Sequence, residues 1–137
     1  MAALNFFQGF FGYLGLGALN LNTDTLMAYL TNNAPSAADD DVLADLAGIT
    51  EQNGYAAADV QNAFSEAAGV GTLTGTDIVW TGSGDFGPFR YAVVYDDTHA
   101  NNVLCFWWDY GSAITVHDGE TMTLDFGASI LTIAAAA

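Results

Sequence analysis

Residues 87–111 read GPFRYAVVYDDTHANNVLCFWWDYG, two apolar and aromatic runs joined by a loop of Asp, Thr, His and Asn. Runs rich in Val, Tyr, Phe and Trp favour strands, and a polar loop between two of them is the signature of an antiparallel hairpin. Centring the turn near His99 and Ala100 makes partner numbers sum to about 199. Arg90 then faces Asp109; Tyr95 meets Leu104, Val93 meets Phe106 and Tyr91 meets Trp108 on one face. Val94 meets Cys105 and Ala92 meets Trp107 on the other. Both faces are apolar, so this hairpin belongs in an interior or between subunits, never on a free edge.

Arg90 is also the only Lys or Arg in 137 residues that carry 16 Asp and Glu, a formal charge of −15. A lone guanidinium within an apolar run needs a carboxylate, and the expected arrangement is a structural Arg90–Asp109 ion pair that sets the hairpin register. A one-residue slip would place Tyr110 opposite Arg90 instead. With no basic stripe, contact with nucleic-acid backbone or an anionic membrane face is disfavoured. Repulsion among the carboxylates predicts a response to salt or divalent cations.

Outward from the hairpin, the chain from residue 70 onward alternates short Thr-, Val-, Ile- and Trp-rich runs with Gly, Asp and Asn. Strands are predicted at 72–81, 88–96, 103–110, 113–117, 121–126 and 129–133, with His117-Asp118-Gly119-Glu120 as a tight turn. Upstream, a strand is predicted at 24–31, ended by Asn32, Asn33 and Pro35, and a helix at 58–67 from the spacing of Val60, Ala63, Phe64 and Ala67. The fold class that follows is mainly β, an antiparallel sandwich or jelly roll with a short N-terminal helix. Residues 1–20 are expected to form a helical arm and 21–137 the β domain.

The first 21 residues lack the positive start of a signal sequence and contain Gln8 and four Gly. A helix over 4–15 fits them better. It would be apolar on nearly every side, and such a helix must be covered on several sides, one of them by another subunit. Phe6, Phe7, Phe10, Phe11, Tyr13 and Leu14, together with Trp107 and Trp108, are therefore the expected interface.

Chemistry-bearing patterns are few. Cys105 is the single cysteine, lies between apolar neighbours and reads as a core side chain. His99 and His117 fall in turns beside Asp96, Asp97 and Asp118 without zinc-ligand spacing. Asp39-Asp40-Asp41 matches no calcium loop, and no nucleophile motif or phosphate-binding loop occurs. No catalytic residue, cofactor or metal ligand is expected.

Five segments, NLNTDTLMAYLTNNAPSAADD (20–40), ITEQNGY (49–55), GPFRYAVVYDDT (87–98), FWWDYGSAITVHDGETMTLDFG (106–127) and ILTIA (130–134), resemble in that order a family of small virion structural proteins of tailed bacteriophages. The resemblance runs nearly end to end, and its motifs are structural. It implies a non-enzymatic capsid decoration or cement protein on the outer surface of the head. The implied partners are the major capsid protein and copies of the chain itself, as trimer or dimer. The alternative reading is a tail or fibre component that holds a host-surface glycan on its aromatic side chains.

Overall fold

The computed structural model describes residues 3–135, and its elements run β1 (Leu4–Phe6), α1 (Gln8–Gly15), β2 (Leu26–Thr31), a 3-10 turn (Leu43–Asp45), β3 (Ala58–Asp59), β4 (Ala63–Ala67), β5 (Val70–Thr74), β6 (Ile78–Thr81), β7 (Phe86–Asp96), β8 (Val103–Val116), β9 (Thr121–Leu124) and β10 (Leu131–Ala134). The fold is mainly β, as expected, and every strand pairing is antiparallel. A five-stranded sheet in the order β1-β8-β7-β2-β3 forms one layer. The sheets β10-β5-β4 and β6-β9 supply the other.

The hairpin of residues 86–116 is the centre of the large sheet, and Tyr91 to Asp96 are buried without alternation. Leu30, Ala92, Val94, Phe106 and Trp108 face the small sheets, where Leu73, Trp80, Leu124 and Phe126 complete the main core. The opposite face carries Tyr29, Tyr91, Val93, Tyr95 and Leu104. It is covered by the chain itself: Leu43 and Leu46 lie against it. Leu43 donates its amide to Asn102, Asp41 accepts from Leu104, and Ile49 donates to Leu30, all at 2.9–3.0 Å. Both faces of the hairpin are thus satisfied within one chain.

The register differs from a uniform sum of 199. Tyr95 pairs with Leu104 as expected, but a bulge at Cys105 and Phe106 shifts the partners beyond it, so Val94 meets Phe106, Val93 meets Trp107, Ala92 meets Trp108 and Tyr91 meets Asp109. One inserted residue leaves Cys105 and Phe106 both in the main core, and everything after it changes face. Trp108 accordingly points into the core, and Trp107 lies on the other side.

Three further expectations are corrected. The stretch 58–67 holds strands in place of a helix. β4 and β5 are joined by the two-residue loop Ala68-Gly69, with φ of 52° and 83°. That is the geometry of the tight turn whose twist matches paired strands, and Ala at its first position disguises it. Ala68→Asn should raise stability by about 0.5–1 kcal/mol in chemical denaturation, since Asn tolerates the left-handed region better than Ala. The run 72–81 breaks at Gly75-Thr76-Asp77 into β5 and β6, which belong to different sheets, whereas 103–110 and 113–117 are one strand.

The N-terminus is not a separate arm. Leu4–Phe6 is an edge strand hydrogen-bonded to β8, and the helix begins only at Gln8. Phe10, Leu19 and Leu21 are buried in the main core. The Phe6-Phe7 pair follows strand alternation, one ring on each face of the sheet. Phe6 packs against the main core and Phe7 lies against Trp107 with ring centres 4.5 Å apart. The helix stops at Gly17, whose φ of 77° and backbone bond to Leu14 close the last turn.

Candidate functional site

Helix α1 crosses the edge of the large sheet, and its inner ring, Phe10, stands edge-on to Phe106 at 5.9 Å. Its outer side does not reach a neighbour. Phe11 is 56% exposed and Leu16 88%, and Ile133 on β10 is 52% exposed. Between them a groove of about 380 Å3 is lined by Phe6, Phe10, Phe11, Leu14, Leu131 and Ile133. Leu14 and Ile133 also border a second hollow of about 270 Å3, which continues the apolar surface to Leu19, Leu21 and Phe64. Phe6 stacks nearly parallel to Phe10 at 6.0 Å and tilts against Phe11 at 5.2 Å, so the aromatic wall is held by its own contacts. The apolar surface thus spans three elements of a small, strongly acidic protein and is open to solvent.

The expected interface residues are therefore divided. Phe6, Phe11 and Leu14 wall the groove, and the buried Phe10 closes its floor. Phe7, Phe10 and Trp108 are interior, at 0%, 1% and 3% exposure. They are core side chains, because one chain buries both faces of its central hairpin. Tyr13 is half-buried, donates its hydroxyl to Asp41 at 3.0 Å and leans on the His99 ring. Trp107 is half-buried against Phe7, away from the groove. Leu131 and Ile133, which also line the groove, were not anticipated. The alternation of Leu131 and Ile133 on the last strand was the available signal, since it puts two large apolar residues on the same side.

Arg90 and Asp109 do form the expected pair, and it is bidentate: Nε and Nη2 donate to the two Asp109 oxygens at 2.8 and 3.1 Å. It is not buried, however. The side chains are 41% and 36% exposed. Register shifts on either side of Phe89 turn Arg90 outward, and the guanidinium reaches Asp109 diagonally past Tyr91, at 5.4 Å from that ring's centre. Arg90 and the Gly111 amide, which also donates to Asp109, hold that carboxyl below the usual range. The stabilisation is present once Asp109 is ionised and is lost as pH falls through its lowered pKa. Exposed pairs contribute little. In a double-mutant cycle, Arg90→Leu and Asp109→Leu should show a small coupling that shrinks further as salt is raised, measured by denaturant midpoints.

The remaining polar candidates have local structural partners. His117 pairs with Asp85 at 2.8 Å, not with Asp118, and that carboxylate raises its pKa. The contribution of this exposed pair is complete below about pH 6.5 and is lost as pH rises through the raised value. Asp40 accepts the Ser36 amide, and Asp45 accepts those of Asp41 and Val42. No group of three or more His, Cys, Asp or Glu converges on a common point among the described residues. Cys105 is fully buried, and desolvation pushes its thiol pKa well up. Of the hairpin aromatics on which a glycan could stack, Tyr91, Tyr95 and Trp108 are buried. Comparison with family models, curated proteins and solved structures finds no match to this chain.

Proposed function

We propose that the chain is a non-enzymatic structural protein of a tailed-phage virion, a decoration or cement protein that stabilises the head from its outer surface. The observation that carries this reading is the apolar groove between α1 and β10, an open contact surface on a molecule of charge −15. The charge supports placement outside the shell, away from packaged DNA, where it keeps particles dispersed. Contact with the major capsid protein, and with copies of the chain, would be modest for each groove and strong by repetition over many sites. Bridging neighbouring capsomers then stabilises the closed shell by mass action, because the protein binds the assembled state only.

Truncation of residues 1–20 is a poor test, since it would remove β1, Phe7 and Phe10 from the fold. Phe11→Asp with Ile133→Asp alters the groove alone. The double variant should lower head occupancy, or self-association by sedimentation, roughly tenfold or more while melting close to the parent. Unchanged binding removes the groove as the interface. In electron micrographs of labelled virions the label should cover the head. Label at one end of the particle would support the tail or fibre alternative instead.

A further inference from the structure

A third cavity, of about 320 Å3, lies at the edge of the large sheet where residues 47–57 run beside β2. Its walls include Tyr29, Tyr55, Tyr95, Ile49 and Glu51. The rings are fixed in place. The Tyr29 hydroxyl donates to the Leu46 carbonyl at 2.7 Å, and the Tyr55 hydroxyl accepts the Leu30 amide at 2.8 Å. Tyr95 stands edge-on to Tyr29 at 5.7 Å. Gly48 allows the loop to lie on this wall, because a Cβ there would come within 2.8 Å of the Tyr29 ring. One Glu51 oxygen accepts the Ala57 amide at 2.6 Å, which anchors the carboxylate and leaves the other oxygen outside that bond.

The geometry points to a binding site for an alkylammonium group, either the side chain of a lysine on a partner or a free aliphatic amine. Three electron-rich rings and one carboxylate around a small cavity suit a cation. An ammonium offers three donors and no acceptor, which matches the free Glu51 oxygen and the lone pairs left on Tyr29. Ile49 and Leu43 give its aliphatic stem an apolar wall. Burial, and then the Glu51 charge, push the Tyr55 hydroxyl up to about 12, so the ring stays neutral. The chain's excess of 16 acids over one Arg concentrates cations at its surface and repels anions. The site lies away from the groove, and it stands whether or not the protein decorates a capsid.

The test is titration of the intact protein with n-butylammonium, followed through the Tyr ring resonances by NMR. n-Butanol serves as the neutral analogue of the same shape. Butylammonium should give saturable shifts at Tyr29, Tyr55 and Tyr95 that butanol does not reproduce. Glu51→Gln, whose amide oxygen can still accept from Ala57, should weaken binding about fivefold or more. Equal shifts from butanol would reduce the cavity to an apolar hollow. Undiminished binding in Glu51→Gln, or no saturable shift in the parent, would also overturn the assignment. Nα-acetyl-lysine N-methylamide, whose ε-ammonium is free, and putrescine then separate the two sources. Preference for the first supports a lysine-bearing partner, and preference for the second a free amine.

Discussion

Phe10→Ala should destabilise the protein by about 3–5 kcal/mol, and Phe11→Ala, one residue along, by well under about 1 kcal/mol. The two rings share a helix and a residue type, so propensity and composition treat them alike. Their surroundings differ. Phe10 is 1% exposed and packs on Phe106 and Phe6, whereas Phe11 is 56% exposed. Removing the first leaves a cavity in a core that extends to Trp108 and Phe126, where Trp108 contacts both Phe106 and Phe126 at 5.7 Å. Removing the second takes away groove wall. Urea denaturation followed by Trp fluorescence measures both, and a small loss for Phe10→Ala would mean that residues 1–20 are a detachable arm after all.

Asp96→Asn should stabilise the protein by about 2 kcal/mol at pH 8, the scale of relieving a buried carboxylate oxygen left without a partner once local relaxation and water entry have softened the penalty. Asp96 ends β7 with its residue fully buried. One of its oxygens accepts the amides of Thr98 and His99 at 3.0 Å, and the other has no partner among the described residues. Burial, and then the neighbouring Asp24 carboxyl, raise its pKa to about 7. Between the ordinary carboxylate value of 3.8 and about 7, the folded state holds a proton that the unfolded state has released. Stability therefore falls as pH rises through that window and levels off above it. Asn keeps the acceptor for Thr98 and His99 and carries no charge, so the variant should show a flatter pH profile and melt roughly 5–10 °C higher at pH 8. A parallel pH profile in parent and variant would show that Asp96 is not the group responsible. Asp24→Asn in the same series should shift the upper end of the window to lower pH.

These two residues also mark how far the sequence could be read. The strand content, the antiparallel hairpin at 87–111, the turn at 117–120 and the Arg90–Asp109 partnership were legible, because each depends on residues near in the chain or on the hairpin that brings them together. With one Arg in the chain, the choice was only among carboxylates. The helix assigned to 58–67 failed because Ala-rich segments carry little β signal, and pairing with β5 overrode local preference. The split of 72–81 is a property of which sheet each half joins, and no local pattern encodes that.

Composition and periodicity by themselves determined that this chain folds as a mainly β domain, has one cationic side chain against sixteen acids and carries more large apolar side chains than a single sheet face can hide. Only the tertiary structure decided where those side chains go. A one-residue bulge moved Trp108 into the core, the irregular segment 41–57 covered the second face of the hairpin, and the small sheets covered the first. Among the described residues, the outer side of α1 beside β10 stayed open. Burial depends on what lies across the layer from a residue, often many tens of positions away in the chain, and local pattern reports only that a residue prefers to be covered.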